Sequence, residues 1–310
     1  MFGMKKVLFV VNPASGGGNC KENWMYALPR IQAKGLAFRY EYTSGPGHAT
    51  EIAKTASSMD WDIIVSVGGD GTANEVVNGL MQNENPPIFT IFPLGTGSDS
   101  VRTLGIMDDM DRFLSMINTA QVCLIDVGVA AYNLFGQQDV KFRYFINACD
   151  VGIGASVAAS VNDMNRDSAK KDGNSKFFRS IMEQVLKFKN FGVSVTDSNG
   201  DFVQIDTVIV AVCNGRYFGG GVNISPNSKM DDGMLELVTI KEMSKPRLLG
   251  IVRSVYKGEH IHHPKVIIKS APKFMITLLT PQLLETDGEV IGKVEKVNFG
   301  VVEKALKVIY

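Results

Sequence analysis

Hydrophobic positions divide this chain into two texts. In the first, apolar runs are short and nearly unbroken: Lys6 to Val11, Ile63 to Val67 and Ile88 to Phe92, with Phe38 to Thr43 alternating. Unbroken β-branched runs suit strands buried on both faces. Between them, about Lys21 to Lys34 and Thr50 to Ser58 read as helices, and Val76, Val77 and Leu80 share one face of a third. The order β-α-β-α-β-α-β predicts a parallel sheet with right-handed crossovers. Near Ile125-Asp126-Val127-Gly128 the pattern changes. Strand-like text follows at Phe142 to Cys149, Gly192 to Asp197, Phe202 to Cys213, Met234 to Ile240, Val266 to Lys269 and Phe274 to Leu279. Helical patches interrupt it at about Ala155 to Met164, Lys176 to Lys187 and Ser244 to Tyr256, and the polar stretch Asn162 to Ser175 reads as a mobile loop. Successive strands joined by turns predict an antiparallel second domain, a β-sandwich. The expected domains are 1–126 and 127–295.

Composition narrows the class. Of the 310 residues, 45% are apolar and 21% charged, ordinary for a globular protein. Lys plus Arg and Asp plus Glu are both 32, so there is no basic field of the kind that drives nucleic-acid binding. Cys20, Cys123, Cys149 and Cys213 lack Cys-x-x-Cys spacing and suit reduced thiols in a cytoplasm. The apolar residues near the N-terminus are too few for a signal peptide, and no run is long enough to span a membrane.

The chemistry gathers where strands end. Ile63 to Val67 runs into Gly68-Gly69-Asp70-Gly71, and a helix follows. Strand, glycine turn and helix bring backbone N–H groups and a positive helix end to a phosphate. Glycines 68, 69 and 71 would permit close approach and positive φ, while Thr72 and Glu75 read as a capping box. The same features fit a well-capped turn that binds nothing. Asp70 tips the balance, because a carboxylate in a phosphate loop calls for an intervening cation such as Mg²⁺. Asn12-Pro13-Ala14-Ser15-Gly16-Gly17-Gly18 and Pro93-Leu94-Gly95-Thr96-Gly97-Ser98-Asp99 also follow apolar strands. All three loops would lie along one sheet edge, where open α/β sheets bind ligands.

Together these motifs resemble the diacylglycerol and sphingosine lipid kinases, most closely the compact soluble bacterial members. The resemblance rests on Gly69-Asp70-Gly71-Thr72-Ala73-Asn74-Glu75-Val76-Val77-Asn78-Gly79, on Asn12 to Gly16 before it, and on Pro93-Leu94-Gly95-Thr96 after it. Asn214-Gly215, Gly219-Gly220-Gly221, Asp231-Asp232-Gly233 and Asp287-Gly288-Glu289 follow in the family's order. Phosphofructokinases and NAD kinases share the Gly-Gly-Asp-Gly turn, so that turn alone does not decide. The resemblance implies a three-layer α/β nucleotide-binding domain and a β-sandwich enclosing a cleft, with Lys296 to Tyr310 returning to the first domain. It implies ATP contacts at Asn12, Pro13, Ala14, Ser15, Gly16, Thr43, Gly69, Asp70, Gly71, Thr72, Ala73, Asn74, Glu75 and Thr96. By the same resemblance Asp70, Asp99 and Asp126 hold the catalytic Mg²⁺ or its waters. Asp232 and the carbonyls of Lys229 and Met234 form a second, structural magnesium site, and Asp287 and Glu289 supply the general base. Ser98 and Ser100 stand where the family has Asn and Phe, which implies altered affinity or acceptor fit.

The expected activity is phosphorylation of a diacylglycerol-like or sphingoid hydroxyl at a membrane surface, by a cytoplasmic protein peripheral to that membrane; a homodimer is compatible with it. An NAD kinase-like enzyme and a non-catalytic nucleotide sensor are the rivals. Locally, other readings stay open. Asp126 also fits a turn before Gly128, Asp231-Asp232-Gly233 and Asp287-Gly288 also fit hairpins, and His260-Ile261-His262-His263 fits a loop better than a metal site. Ile181, Val185 and Phe188 suit core packing better than membrane contact.

Overall fold

The computed structural model describes residues 5–92, 94, 98–106, 109–119, 121–167 and 173–310. The chain divides into two compact units, Met1–Ile125 with Lys304–Tyr310, and Asp126–Glu303.

In the first unit β1 (Lys6–Val11), α1 (Asn19–Ala33), β2 (Ala37–Tyr42), α2 (His48–Ser57), β3 (Ile63–Val67), α3 (Asp70–Leu80) and β4 (Ile88–Phe92) alternate. Strand β1 pairs parallel with β2 and β3, and β3 pairs parallel with β4. Every residue of β3 is buried, as its unbroken β-branched run requires. Val7, Phe9, Val65 and Val67 pack with Trp24, Ala27 and Ile31 of α1. Trp24 meets the rings of Phe9 and Phe92 at 5.1 and 6.5 Å. Two helices not foreseen follow, α4 (Asp99–Leu104) and α5 (Met110–Thr119), and Phe113, Leu114 and Ile117 join the same core.

The next strand, β5 (Cys123–Tyr132), passes from the first unit into the second. Asp126 therefore sits within a strand, not at a turn. Gly128 is needed there for space: a Cβ would fall 2.2 Å from the ring of Phe145. The expected single strand Phe142 to Cys149 is two, β6 (Lys141–Phe145) and β7 (Ala148–Gly152), broken at Ile146 and Asn147. Helix α6 (Ile153–Asp167) and helix α7 (Gly173–Lys187) take up most of the stretch read as a mobile loop. Then come β8 (Phe191–Asp197), β9 (Phe202–Cys213), the short pair β10 (Tyr217–Phe218) and β11 (Val222–Asn223), β12 (Leu235–Lys241), α8 (Lys245–Lys257), β13 (Val266–Ala271), β14 (Lys273–Thr286) and β15 (Glu289–Val308).

Pairing within the second unit is antiparallel. Strand β9 is flanked by β12, β7 and β8, and β14 by β7, β8 and β15. From Thr207 to Cys213 strand β9 is buried on both faces. Val210 and Val212 enter one core with Phe274 and Leu284, while Ile209, Ala211 and Cys213 enter another with Leu248 and Ile251 of α8. Val185 is buried in that second core, with Ile181 and Phe188 packed against it. Strand β15 leaves the second unit at Lys304, which has a left-handed φ of 48°, and Val308 pairs parallel with Phe89 of β4.

Candidate active site

In the first unit the loop after β1 is joined to the first turn of α3. The Asn12 amide donates from Nδ2 to Thr72 Oγ1 (2.9 Å), while its Oδ1 accepts from Ala14 N (3.1 Å). Gly16, Gly17 and Gly18 have φ of 61°, 68° and 91°, and a Cβ on Gly17 or Gly18 would meet nothing within 4 Å. These exposed glycines occupy a region that side chains rarely adopt, and they lead directly into α1. Pro13, Ala14 and Ser15 complete the loop. Thr43 is buried, and its N–H donates to Val11 O (2.9 Å).

The positive φ that Gly68, Gly69 and Gly71 would permit is found in the first loop instead. Gly69 is extended, with φ of −94°. Gly68 answers a demand for space, since a Cβ would lie 2.6 Å from Thr72 Oγ1. Nor do Thr72 and Glu75 form a capping box. Helix α3 begins at Asp70, Thr72 Oγ1 accepts from Asn12, and Glu75 turns to a neighbouring helix. Its carboxylate accepts from Gly47 N (2.8 Å) and Ala49 N (3.1 Å), at the N-terminus of α2. Ala73 and Asn74 are buried on α3, and Asn78 Nδ2 donates to Asn74 Oδ1 (3.1 Å).

Asp70 has a comparable engagement. Its Oδ1 accepts from Ser98 Oγ (2.7 Å) and Ser100 N (2.9 Å), and its Oδ2 from Asp99 N (2.8 Å). Ser98 is the N-cap of α4, accepting from Val101 N (3.3 Å). A serine suits that position as well as an asparagine would. Asp99 is buried and pairs with Arg102 (2.9 Å). Thr96 lies outside the described residues.

In the second unit, fully buried Asp126 meets the turn that holds Asp232. Asp126 N donates to Met230 O (2.6 Å), its Oδ2 accepts from Gly233 N (2.7 Å), and its carbonyl accepts from Asn214 Nδ2 (3.0 Å). Asp232 Oδ1 accepts from Met234 N (3.1 Å). The carboxylate of Asp232 and the carbonyls of Lys229 and Met234 are all oxygen donors, the set that Mg²⁺ or Ca²⁺ takes. The fixed turn therefore fits the expected ion in donor chemistry. Among the described residues, no group of three or more His, Cys, Asp or Glu side chains is arranged to hold a metal. His260 is buried, with Nε2 3.0 Å from Ile224 O, and burial pushes its pKa down.

Asp287 is the most constrained of the expected site residues. It is 5% exposed and has φ of 46°, an uncommon conformation outside glycine. Its carboxylate accepts from Ile146 N (2.8 Å), Asn147 N (2.9 Å) and Ala148 N (3.1 Å), and its own N–H donates to Ala148 O (2.9 Å). Glu289 forms an ion pair with Arg143. Beside the turn lie two acids that sequence reasoning passed over, Asp150 on β7 and Glu285 on β14, both buried. Burial and mutual proximity push the Glu285 carboxyl well above its ordinary value, and burial raises Asp150. Their signal in sequence was an acid inside an apolar strand, at Ala148–Gly152 and within Leu283-Leu284-Glu285-Thr286.

Residues 6–130 match the family model of the diacylglycerol kinase catalytic domain, and residues 147–310 match the YegS C-terminal NAD kinase beta sandwich-like domain. The chain belongs to the diacylglycerol kinase family. A diacylglycerol kinase of Bacillus subtilis (strain 168) is 27% identical over 290 residues, covering 93% of this chain and 91% of the relative. One from Staphylococcus aureus (strain bovine RF122 / ET3-1) is 28% identical over 304 residues, 98% and 92% of the two chains. The crystal structure of a diacylglycerol kinase from Bacillus anthracis str. Sterne superposes with a TM-score of 0.72 at 24% identity, covering 100% and 98%. Yeast NADH kinase complexed with NADH gives 0.54 at 10% identity, covering 99% and 83%. These two structural likenesses show a shared mixed α/β fold with a β-rich C-terminal part. As a member of the diacylglycerol kinase family, this protein is an ATP-using kinase. Among its described residues, no helix is long and apolar enough to cross a membrane.

Proposed function

We propose that this kinase phosphorylates the hydroxyl of a diacylglycerol-like lipid at a membrane surface, with ATP and Mg²⁺. The first unit, a three-layer α/β domain in this reading, binds the nucleotide. Its left-handed glycines at 16 to 18, Asn12 to Ser15, Thr43 and the Gly69-to-Glu75 turn surround the phosphates with N–H and O–H donors. Thr96 belongs to the same set. Asp70, Asp99 and Asp126 direct the metal or its waters, and Asp232 with the Lys229 and Met234 carbonyls holds a structural ion. Mg²⁺, when bound, supplies charge neutralisation to the triphosphate.

The second unit, a sandwich, takes the acceptor. Asp287 accepts the hydroxyl proton as the acceptor oxygen bonds to the γ-phosphorus and the bridging P–O bond to ADP breaks. Glu289, paired with Arg143, helps to hold the turn. The observation that carries the assignment is the buried Asp287 carboxylate, fixed by three consecutive backbone N–H groups at the family's base position. Fixing a base removes the cost of orienting it during reaction. A sphingoid acceptor fits the same chemistry.

Incubating the protein with γ-labelled ATP, Mg²⁺, diacylglycerol vesicles, sphingosine vesicles and NAD in parallel tests this reading. Label should pass to diacylglycerol, and Asp287→Asn should lower kcat by about 10²- to 10⁴-fold. Label on NAD alone, or full kcat in Asp287→Asn, would overturn it.

A further inference from the structure

Asp150 and Glu285 stand directly opposite each other in the antiparallel register of β7 and β14, and are 0% and 2% exposed. The titratable groups that act on them are themselves acidic: Asp287 from the adjoining turn, Cys149 on β7 and Cys213 on β9. Helix α6 contributes the backbone N–H of Ala155. Asp150 Oδ1 accepts from Ala155 N (2.9 Å), and Gly154 allows this approach, since a Cβ there would lie 2.6 Å from both carboxylate oxygens.

Counted as two anions, the pair leaves buried Asp150 Oδ2 without a donor. Two unpaired charges side by side in an apolar core would also repel strongly. One shared proton removes both difficulties: neutral Glu285 donates to the Asp150 carboxylate. The raised Glu285 pKa has the same direction. Glu285 Oε1 accepts from Gly288 N, and Gly288, with φ of 89°, lies between Asp287 and Glu289. A line of hydrogen bonds thus runs from the start of α6 through both acids to the Asp287 turn.

We infer that Asp150 and Glu285 are a proton-sharing pair that positions the Asp287-Gly288-Glu289 turn and sets the upper pH limit of phosphoryl transfer. This rests on the assignment of Asp287 as the base. When the pH rises far enough, Glu285 gives its proton to solvent. The two anions then repel, and the turn loses its register. The pair does not touch the acceptor; both are positioning residues.

The test compares kcat against pH for wild type, Glu285→Gln and Glu285→Ala, with nucleotide affinity measured alongside. Glu285→Ala removes the link to Gly288 and should lower kcat at neutral pH by about tenfold to a hundredfold, with nucleotide affinity nearly unchanged. Glu285→Gln, whose amide donates to Asp150 and whose carbonyl accepts from Gly288 N, should restore most of that loss. It should also keep its activity at alkaline pH where wild type falls. The inference is overturned if Glu285→Gln is as impaired as Glu285→Ala, or if its alkaline limb superposes on that of wild type. Isotope-edited infrared spectroscopy gives a readout that does not depend on turnover. A protonated carboxyl band should be present in wild type at neutral pH and absent in Glu285→Gln; its absence from wild type would also overturn the inference. Asp287→Asn, run in parallel, separates the two claims. Full kcat there removes the base, while low kcat there with unaltered profiles in the Glu285 variants removes only the pair.

Discussion

In the first unit Asp70 and Glu75 lie against the starts of helices, whereas Glu285 in the second is buried within a sheet beside another acid. Glu75 receives Gly47 and Ala49 N–H at the start of α2, and Asp70 receives Asp99 and Ser100 N–H at the start of α4. A helix start offers unpaired donors and a partial positive charge, so a carboxylate there finds hydrogen-bond partners without a cation. In the second unit Asp287 has its own set of N–H donors, but Glu285 has only Gly288 N and an acidic neighbour. There, neutralisation by a proton replaces neutralisation by dipoles. Carboxyl groups thus tether helices at Asp70 and Glu75 and store a proton at Glu285, and local donors decide which.

The contrast breaks most readily at Asp70. Asp70→Asn exchanges one acceptor oxygen for a donor facing the α4 amides. Turnover should fall by about 10²-fold or more, the scale of losing one placed electrostatic group, and the Asp99 and Ser100 amides should exchange faster with solvent. Unchanged turnover together with faster exchange would leave Asp70 a tether alone.

The second measurement is stability against pH. The Glu285 carboxyl is raised above its ordinary value of 4.5, so the folded state holds a proton that the unfolded state releases. Its stabilising contribution is complete below that value and is lost as pH rises through the raised folded-state pKa, by up to about 1.4 kcal/mol per pH unit. Denaturant midpoints of Glu285→Gln relative to wild type should therefore rise with pH through this window. A flat difference would mean that Glu285 titrates normally.

The smallest effect is expected at Glu75. Glu75→Ala should cost about 1 kcal/mol, the worth of a helix cap. Hydrogen exchange should quicken at Gly47 and Ala49. Faster exchange at Thr72 instead would restore the capping-box reading.

Much of the fold was legible because it is written locally. Strands β1, β3 and β4 and the inward half of β9 are apolar on both faces, and an unbroken run has few other uses. What escaped was set at long range. Ile146 and Asn147 look like the middle of a strand, yet their N–H groups turn to a carboxylate at position 287, so one expected strand became two. Gly128 suggests a turn next to Asp126, but it is a recess for the ring of Phe145. Glu75 sits three residues after Thr72, as a capping box requires, but α3 starts two residues earlier and nearer donors lie on α2. Motifs in the sequence point to Asp70 and Asp287, whereas Asp150 and Glu285 form no motif and meet only through strand register.

Strand β15 also bears on how the molecule is made. Synthesis delivers the chain from its N-terminus, and domains ordinarily fold as they emerge. Here Ile309 N donates to Phe89 O (3.3 Å), and Thr90 Oγ1 donates to Ile309 O (2.9 Å), so part of β4's border is covered by a segment made much later. A nascent first unit must carry that border unpaired while all of Asp126–Glu303 is translated. An uncovered strand edge invites pairing with other chains. For this kinase, the hazard of misassembly is greatest on the ribosome, before the returning segment exists to cover the edge.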